Sequence, residues 1–305
     1  MLLSALWGGM FLLVKYALVD FSPVGVAFMQ SVVGALGLFA IVVVEGGEAQ
    51  AALGDILRRP AQALVLGALA IAAPFMLIAL GELSVPSGLA GVLASTTPVF
   101  VALFAPWIDP SIEINRRQGV GLAVGLLGVA LVVGAHFVAS LDQFFGALAL
   151  LGSAACGALA GFVVRLRYRD RGVPASTTSF FALSVAALLM FPAAVVTAPR
   201  ELPGARAVAA VVLLGLGCTA LGYMLYYRLI NEVGSQRAAL ANYLLPAFAL
   251  FYGVLLLGEA LTVAGVAGLL LIIGGAAVAA RGGGEGNRRV GDSLGARYLS
   301  HPPFH

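Results

Sequence analysis

Trp7, Phe11 and Lys15 fall at i, i+4 and i+8 of an apolar run, so a helix there presents two aromatic rings and a cation on one face. Such a stripe can hold a solute through ring contacts and charge. Lys15 is the chain's only lysine. Deep in a bilayer a charge costs at least about 2.5 kcal/mol and has to be paired or functional, whereas one turn from a helix end the side chain can snorkel to water. Both readings of Lys15 stay open.

Two prolines mark a second kind of chemistry. Pro98 and Pro246 lie near the middle of apolar runs, where a proline frees the carbonyl four residues earlier, here those of Ala94 and Asn242. At membrane depth a loosened carbonyl faces protein or a cavity, which makes each kink a candidate wall of a solute path. Asn242, beside Tyr243, would offer an amide as well, and Ser95, Thr96 and Thr97 place hydroxyls next to Pro98. The competing reading is a packing kink, with the hydroxyls bonded to their own preceding turn. Tyr223, Tyr226 and Tyr227 precede Arg228, as an interfacial belt or a solute platform. Glu113 and Glu259 stand before the fifth and tenth apolar runs, where each carboxylate can cap the start of the helix that follows it, with proton coupling as the second reading. All 14 acidic residues fall at or near expected loops, so no deep carboxylate is expected.

Little else in the chain is reactive. Cys156 and Cys218 lack metal or redox spacing and read as small packing residues; His301 and His305 are separated by two prolines and share no helical face. No phosphate loop, zinc helix or nucleophile elbow occurs, so the expectation is no catalytic residue, no metal and no cofactor.

The elements that must position these groups are membrane helices. Of 305 residues, 61% are hydrophobic and 10% charged, too little polar material to cover a water-facing surface. Runs of about 20 apolar residues, the length that crosses a bilayer, recur at 2–19, 24–44, 61–81, 86–107, 119–137, 144–164, 175–197, 207–227, 236–257 and 262–280. The first lacks the basic leader of a signal peptide and is expected to be retained. Residues 281–305 read as a flexible tail. With the N-terminus inside, 14 arginines fall on the inner side and only Arg200 and Arg206 outside, which predicts a multi-pass protein of the plasma (inner) membrane with both termini cytoplasmic. The net charge of +3 expresses this topology, and no basic and aromatic cluster points to nucleic acid.

An offset of 148 residues aligns residues 75–100 with 223–248, matching Met76, Val85, Ser87, Pro98 and Phe100 to Met224, Val233, Ser235, Pro246 and Phe248. After a two-residue slip Glu113, Gly119 and Gly128 meet Glu259, Gly265 and Gly274. Each copy holds five runs. Five is odd, so the second copy enters the membrane from the opposite side, and inverted pairs of this kind commonly exchange inward- and outward-open forms around a midplane site.

Leu6-Trp7-Gly8-Gly9-Met10-Phe11 with Lys15, the helix carrying Pro98, and Pro246 followed by Leu257-Gly258-Glu259-Ala260-Leu261 and Gly265 resemble the EamA-type branch of the drug/metabolite transporter superfamily over residues 1 to about 280. The resemblance implies an all-α membrane protein of ten helices in two inverted five-helix repeats, moving small metabolites along a path walled by the first, third, fourth, sixth, eighth and ninth spans. Two departures stand out: Gln30 replaces a frequent arginine of the second span, and Asp109-Pro110-Ser111-Ile112-Glu113 replaces the first Leu-Gly-Glu.

The expectation is therefore a five-helix repeat at 1–138, a second at 143–280 and a tail at 281–305. The chain would be a secondary transporter of a small metabolite working by alternating access. Its path residues would be Trp7, Lys15, Gln30, Ser95, Thr96, Pro98, Tyr223, Tyr227, Asn242, Tyr243 and Pro246. A coupling ion is compatible with this, as is a homodimer through Gly121/Gly125 or Gly157/Gly161. The alternative is a membrane-embedded scaffold or enzyme without transport activity.

Overall fold

The computed structural model describes residues 1–46, 60–108, 116–167, 174–233, 240–275 and 277–278, all helix or short connection with no strand among them. In chain order the helices are α1 (Leu2–Ala17), α2 (Pro23–Glu45), α3 (Pro60–Gly81), α4 (Ser87–Ile108), α5 (Arg116–Ala139), α6 (Leu141–Arg167), α7 (Ala175–Val196), α8 (205–233), α9 (Leu240–Leu257) and α10 (Val263–Gly275). Among the described residues six are long and apolar enough to cross a membrane: Pro23–Val44, Pro60–Gly81, Ser87–Ile108, Leu141–Val164, Ser176–Val196 and Ala205–Tyr226. Leu2–Ala17, Leu244–Leu257 and Val263–Gly275 are shorter apolar helices. Large apolar side chains such as Leu36, Val44, Trp107, Leu188, Val196 and Leu270 face outward, the exterior a lipid solvent requires.

Local chemistry sets the helix ends. The Gly25 amide donates to Ser22 Oγ at 3.1 Å with Pro23 in the first turn of α2. Gly265 donates to Thr262 Oγ1 at 3.0 Å at the start of α10. After α9 the chain leaves at Gly258 with φ +67°, a conformation that glycine takes without strain.

Two helices are locally widened. Residues Ala68–Ala72 of α3 and Leu213–Leu221 of α8 are π-helical. The 148-residue offset carries 68–72 onto 216–220, inside the second widened segment. The proline helices differ from each other. Pro246 is buried inside the unbroken α9, whereas α4 turns at Ser95–Thr96 and resumes at Thr97 with Pro98, exposed, in its first new turn.

The packing divides α4 by function. Its first half, Ser87–Ala94, lies on α9, α6 and α1, and its second half, Thr97–Ile108, stays on α6 but leaves α9 and α1 for α5. Elsewhere α1 runs along α9, α2 along α7 and the π segment of α8, and α3 along α6. One core gathers Phe11, Val14, Leu93, Leu150 and Leu214; a second gathers Leu38, Ile71, Leu183 and Met190.

Candidate solute path and its closed end

The connections after α1, α3, α7 and α9 meet at one end of the bundle and are tied together by polar contacts. Gly204 donates to Asp20 Oδ2 at 2.8 Å, the Ser22 and Thr197 hydroxyls lie 2.9 Å apart, and Ser84 Oγ donates to the Asp142 carbonyl at 2.8 Å. The Arg206 guanidinium sits 3.9 Å over the Tyr16 ring. We call this the Glu82 end.

Beneath these ties, α1, α4 and α9 touch without space between them. A Cβ on Gly91 would collide with Ala249 Cβ and lie 3.3 Å from Phe11. A Cβ on Gly253 would collide with Glu259 Oε2 and stand 3.1 Å from both Ser87 Oγ and the Gly88 nitrogen. Only glycine permits this approach. Glu259 locks the seam: its Oε1 accepts from the Ser87 amide at 2.6 Å and its Oε2 from the Gly88 amide at 2.9 Å. A carboxylate on two free amides at a helix start gains from both hydrogen bonding and the helix dipole. The helix it caps is α4, across the bundle; α10, the helix that follows Glu259 in sequence, is capped by Thr262.

Lys15 belongs to the same end and turns inward. Its Nζ donates to the main-chain carbonyl of Glu82, where α3 ends and unbonded carbonyls favour a cation. Glu82 itself corrects the expectation of no deep carboxylate: it lies in a connection, yet its side chain is 1% exposed. A five-residue link between two apolar runs carries no sign in sequence that it will be folded under its neighbours.

Nearer the other end, Trp7 meets α8. Its Nε1 donates to the Cys218 carbonyl at 3.0 Å, and its ring lies 5.3 Å from Tyr226 and 6.4 Å, edge on, from Tyr223. The π segment makes that carbonyl available, because the Gly222 amide reaches Gly217 and Thr219 and passes over Cys218. Gln30, 2% exposed, donates from Nε2 to Thr219 Oγ1 at 3.1 Å, and that hydroxyl donates in turn to the Leu214 carbonyl at 2.9 Å. Trp7→Phe keeps the ring contacts and orphans the Cys218 carbonyl. The expected loss is about 1 kcal/mol of stability, read as a lower thermal midpoint in detergent; an unchanged midpoint would contradict the assignment.

The hydroxyls near Pro98 are engaged with their own chain. Ser95 Oγ donates to Gly91 O at 2.6 Å, Thr96 Oγ1 to Leu93 O at 2.7 Å, and Thr97 Oγ1 to Ala94 O at 3.3 Å, so the carbonyl freed by Pro98 is filled locally. Glu113 and the side chains of Tyr227, Asn242 and Tyr243 lie outside the described residues. Away from the Glu82 end, an apolar cavity of about 430 Å³ opens between α3, the end of α4 and α6, lined by Gln62, Val65, Leu69, Ile108, Phe162 and Val163 among others. Gln62 brings it an amide whose buried Oε1 has no hydrogen-bond partner. Among the described residues no three His, Cys, Asp or Glu side chains group as a metal cage requires.

An all-helical bundle in which six described helices are long and apolar enough to cross a bilayer has the build of a multi-pass membrane protein. The chain is a member of the EamA-like transporter family, whose model matches residues 1–134 and again 144–281. It is 24% identical to the uncharacterized transporter YoaV of Bacillus subtilis, over 88% of this chain and 91% of that protein. It is 27% identical to the uncharacterized transporter YdfC of the same organism (90% and 87%) and 25% identical to the uncharacterized inner membrane transporter YedA of Escherichia coli (85% and 82%). A solved crystal structure of a protein 21% identical superposes at TM-score 0.65, covering 91% of this chain and 93% of that one, and shares the fold.

Proposed function

We propose that the chain is a secondary transporter that moves a small polar or amphipathic metabolite by alternating access between two inverted five-helix repeats, residues 1–138 and 143–280. The observation that carries this is the divided packing of α4: both halves lie on α6, but only the first is sealed to α1 and α9, and the second leaves them for α5. On this reading a path between these helices is closed at the Glu82 end and opens toward the other. Two further facts support the duplication: the family model matches twice, and the widened turns of α3 and α8 fall at equivalent positions.

The Glu82 end faces outward and both termini and the 281–305 tail are cytoplasmic, in keeping with the arginine asymmetry. We read the form described here as inward-facing. On this reading Trp7, Tyr223 and Pro246 wall the path, Gln30 fixes the widened turn of α8, and Tyr227, Asn242 and Tyr243 are carried as further path candidates from the sequence. Ser95, Thr96 and Pro98 form the hinge between the halves of α4, and Lys15 belongs to the seal. A solute and the bilayer are the partners this needs; ion coupling is taken up below.

Reconstitution into sealed liposomes tests the reading against the scaffold or enzyme alternative. A broad metabolite panel is expected to yield uptake or counterflow for at least one solute that protein-free vesicles do not show. Neither uptake nor counterflow across the panel would overturn it.

A further inference from the structure

Glu82, Glu259, Lys15 and Ser87 converge beneath the closed end. Glu82 is 1% exposed, and among the described residues neither of its carboxylate oxygens has a hydrogen-bond partner. Lys15 reaches the Glu82 main-chain carbonyl rather than its carboxylate, and Glu259 uses both its oxygens on the start of α4. Ser87 Oγ, fully buried, is also unpartnered. An ionised carboxylate in such a place would lose its hydration with no hydrogen bond in return and only the Lys15 charge to offset the loss, so the neutral acid is the form that fits. Burial pushes the Glu82 carboxyl well above its ordinary range; Lys15 pulls it back and Glu259 pushes it up further.

Resting on the transport reading above, we propose that Glu82 is a proton-binding site, loaded when the outer end is closed and emptied when that end opens. Opening separates α4 from α9, takes Glu259 off the Ser87 and Gly88 amides and admits water to Glu82. The carboxyl then gives its proton to external water and stands ionised beside Lys15. Closing reverses each step, with the proton drawn from external water onto a Glu82 oxygen. The charged groups that act on the site are Lys15 from α1 and Glu259 from the α9–α10 connection; α6 adds Asp142 at its start, whose carbonyl holds Ser84.

The sign follows from linkage. The closed form binds the proton more tightly, so its advantage is full at low external pH and is lost as pH rises through the closed-state pKa. The closed-to-open ratio falls by up to about tenfold per pH unit in that window.

Two measurements on the full-length protein in lipid test this. Infrared titration should show a protonated carboxyl band that disappears on raising pH, is absent in Glu82→Gln and returns, shifted, in Glu82→Asp. Lys15→Met should move its midpoint up and Glu259→Gln should move it down. No such band, or a band that survives in Glu82→Gln, would overturn the site.

For the coupling, Leu89, buried in the first half of α4 at the closed seam, is replaced by cysteine in a Cys156→Ala/Cys218→Ala background and labelled from outside with an impermeant maleimide. Its rate is taken relative to an exposed control, Val19→Cys, which cancels thiol ionisation. Relative labelling should rise with external pH, and Glu82→Gln should flatten the response. A pH-independent rate, the same pH response in Glu82→Gln, or a response to sodium in place of pH would overturn the coupling. A Leu89→Cys that stays unreactive throughout, with the infrared band present, would instead leave the proton site standing and count against outward opening itself.

Discussion

Gly91→Leu will hold the outer end open. The Cβ of any larger residue at 91 collides with Ala249 and presses on Phe11, and α1, α4 and α9 have no slack there to absorb it. Forcing extra carbon atoms into a packed contact costs about 1–3 kcal/mol, and the cost falls on the closed form alone, since opening parts the two surfaces. A bias of that size shifts the closed-to-open ratio roughly 5- to 150-fold. Net flux of any solute the wild type carries should drop by a similar factor, while membrane yield and monodispersity stay near wild type because the helices remain paired elsewhere. The check is flux in liposomes beside external labelling of Leu89→Cys in the same background. Wild-type flux, or labelling no faster than in the parent, would show that the seam is not a moving contact.

Glu259→Ala should act on the same equilibrium through hydrogen bonds. Its removal orphans the Ser87 and Gly88 amides at the start of α4. Bonds to a charged group contribute a net ~1.5–3 kcal/mol each; with water entering the vacated site to satisfy part of what is orphaned, a loss of about 2–4 kcal/mol for the closed form is expected. Glu259→Gln keeps one acceptor oxygen and should lose about half as much. The readout is the thermal midpoint of the purified protein together with external labelling: alanine lowest in midpoint and fastest in labelling, glutamine between. Equal behaviour of the two variants would mean that charge alone, rather than the paired bonds, makes the cap.

These two residues show what the sequence could and could not give. Among the described residues the apolar runs read from hydropathy overlap the helices, six of them long enough to span a membrane, because the length of an apolar run is written directly in composition; the end of α8 runs six residues past its expected span. The match with Glu113 singles out Glu259, and helix logic makes it a cap of the helix that follows, α10; the helix it caps is α4. Helix logic could not name that helix, because the partner, Ser87, lies 172 residues away and is fixed only by packing. Glu82 escaped notice for a related reason: burial of a connection depends on what folds over it. Pro98 and Pro246 looked alike in the aligned repeats, yet one follows a break and the other sits in a continuous helix. Threonine hydroxyls at 96 and 97 give α4 a local way to satisfy its loosened carbonyls, and a turn costs it little. The widened turns of α3 and α8 left no mark at all in residue type, since an inserted residue in an apolar helix changes neither hydropathy nor composition.

The central claim is that the Glu82 end is one of two positions of a moving contact between the repeats. Spin labels on Leu83→Cys and Leu261→Cys, both exposed and placed on the α3–α4 and α9–α10 connections, report on it directly. With the native cysteines replaced by alanine and the protein in lipid, pulsed dipolar spectroscopy should resolve two distances. The shorter should match the closed form, and the longer should gain population as pH is raised or when Gly91→Leu is added. A single narrow distance, unmoved by pH and by that substitution, would contradict the account.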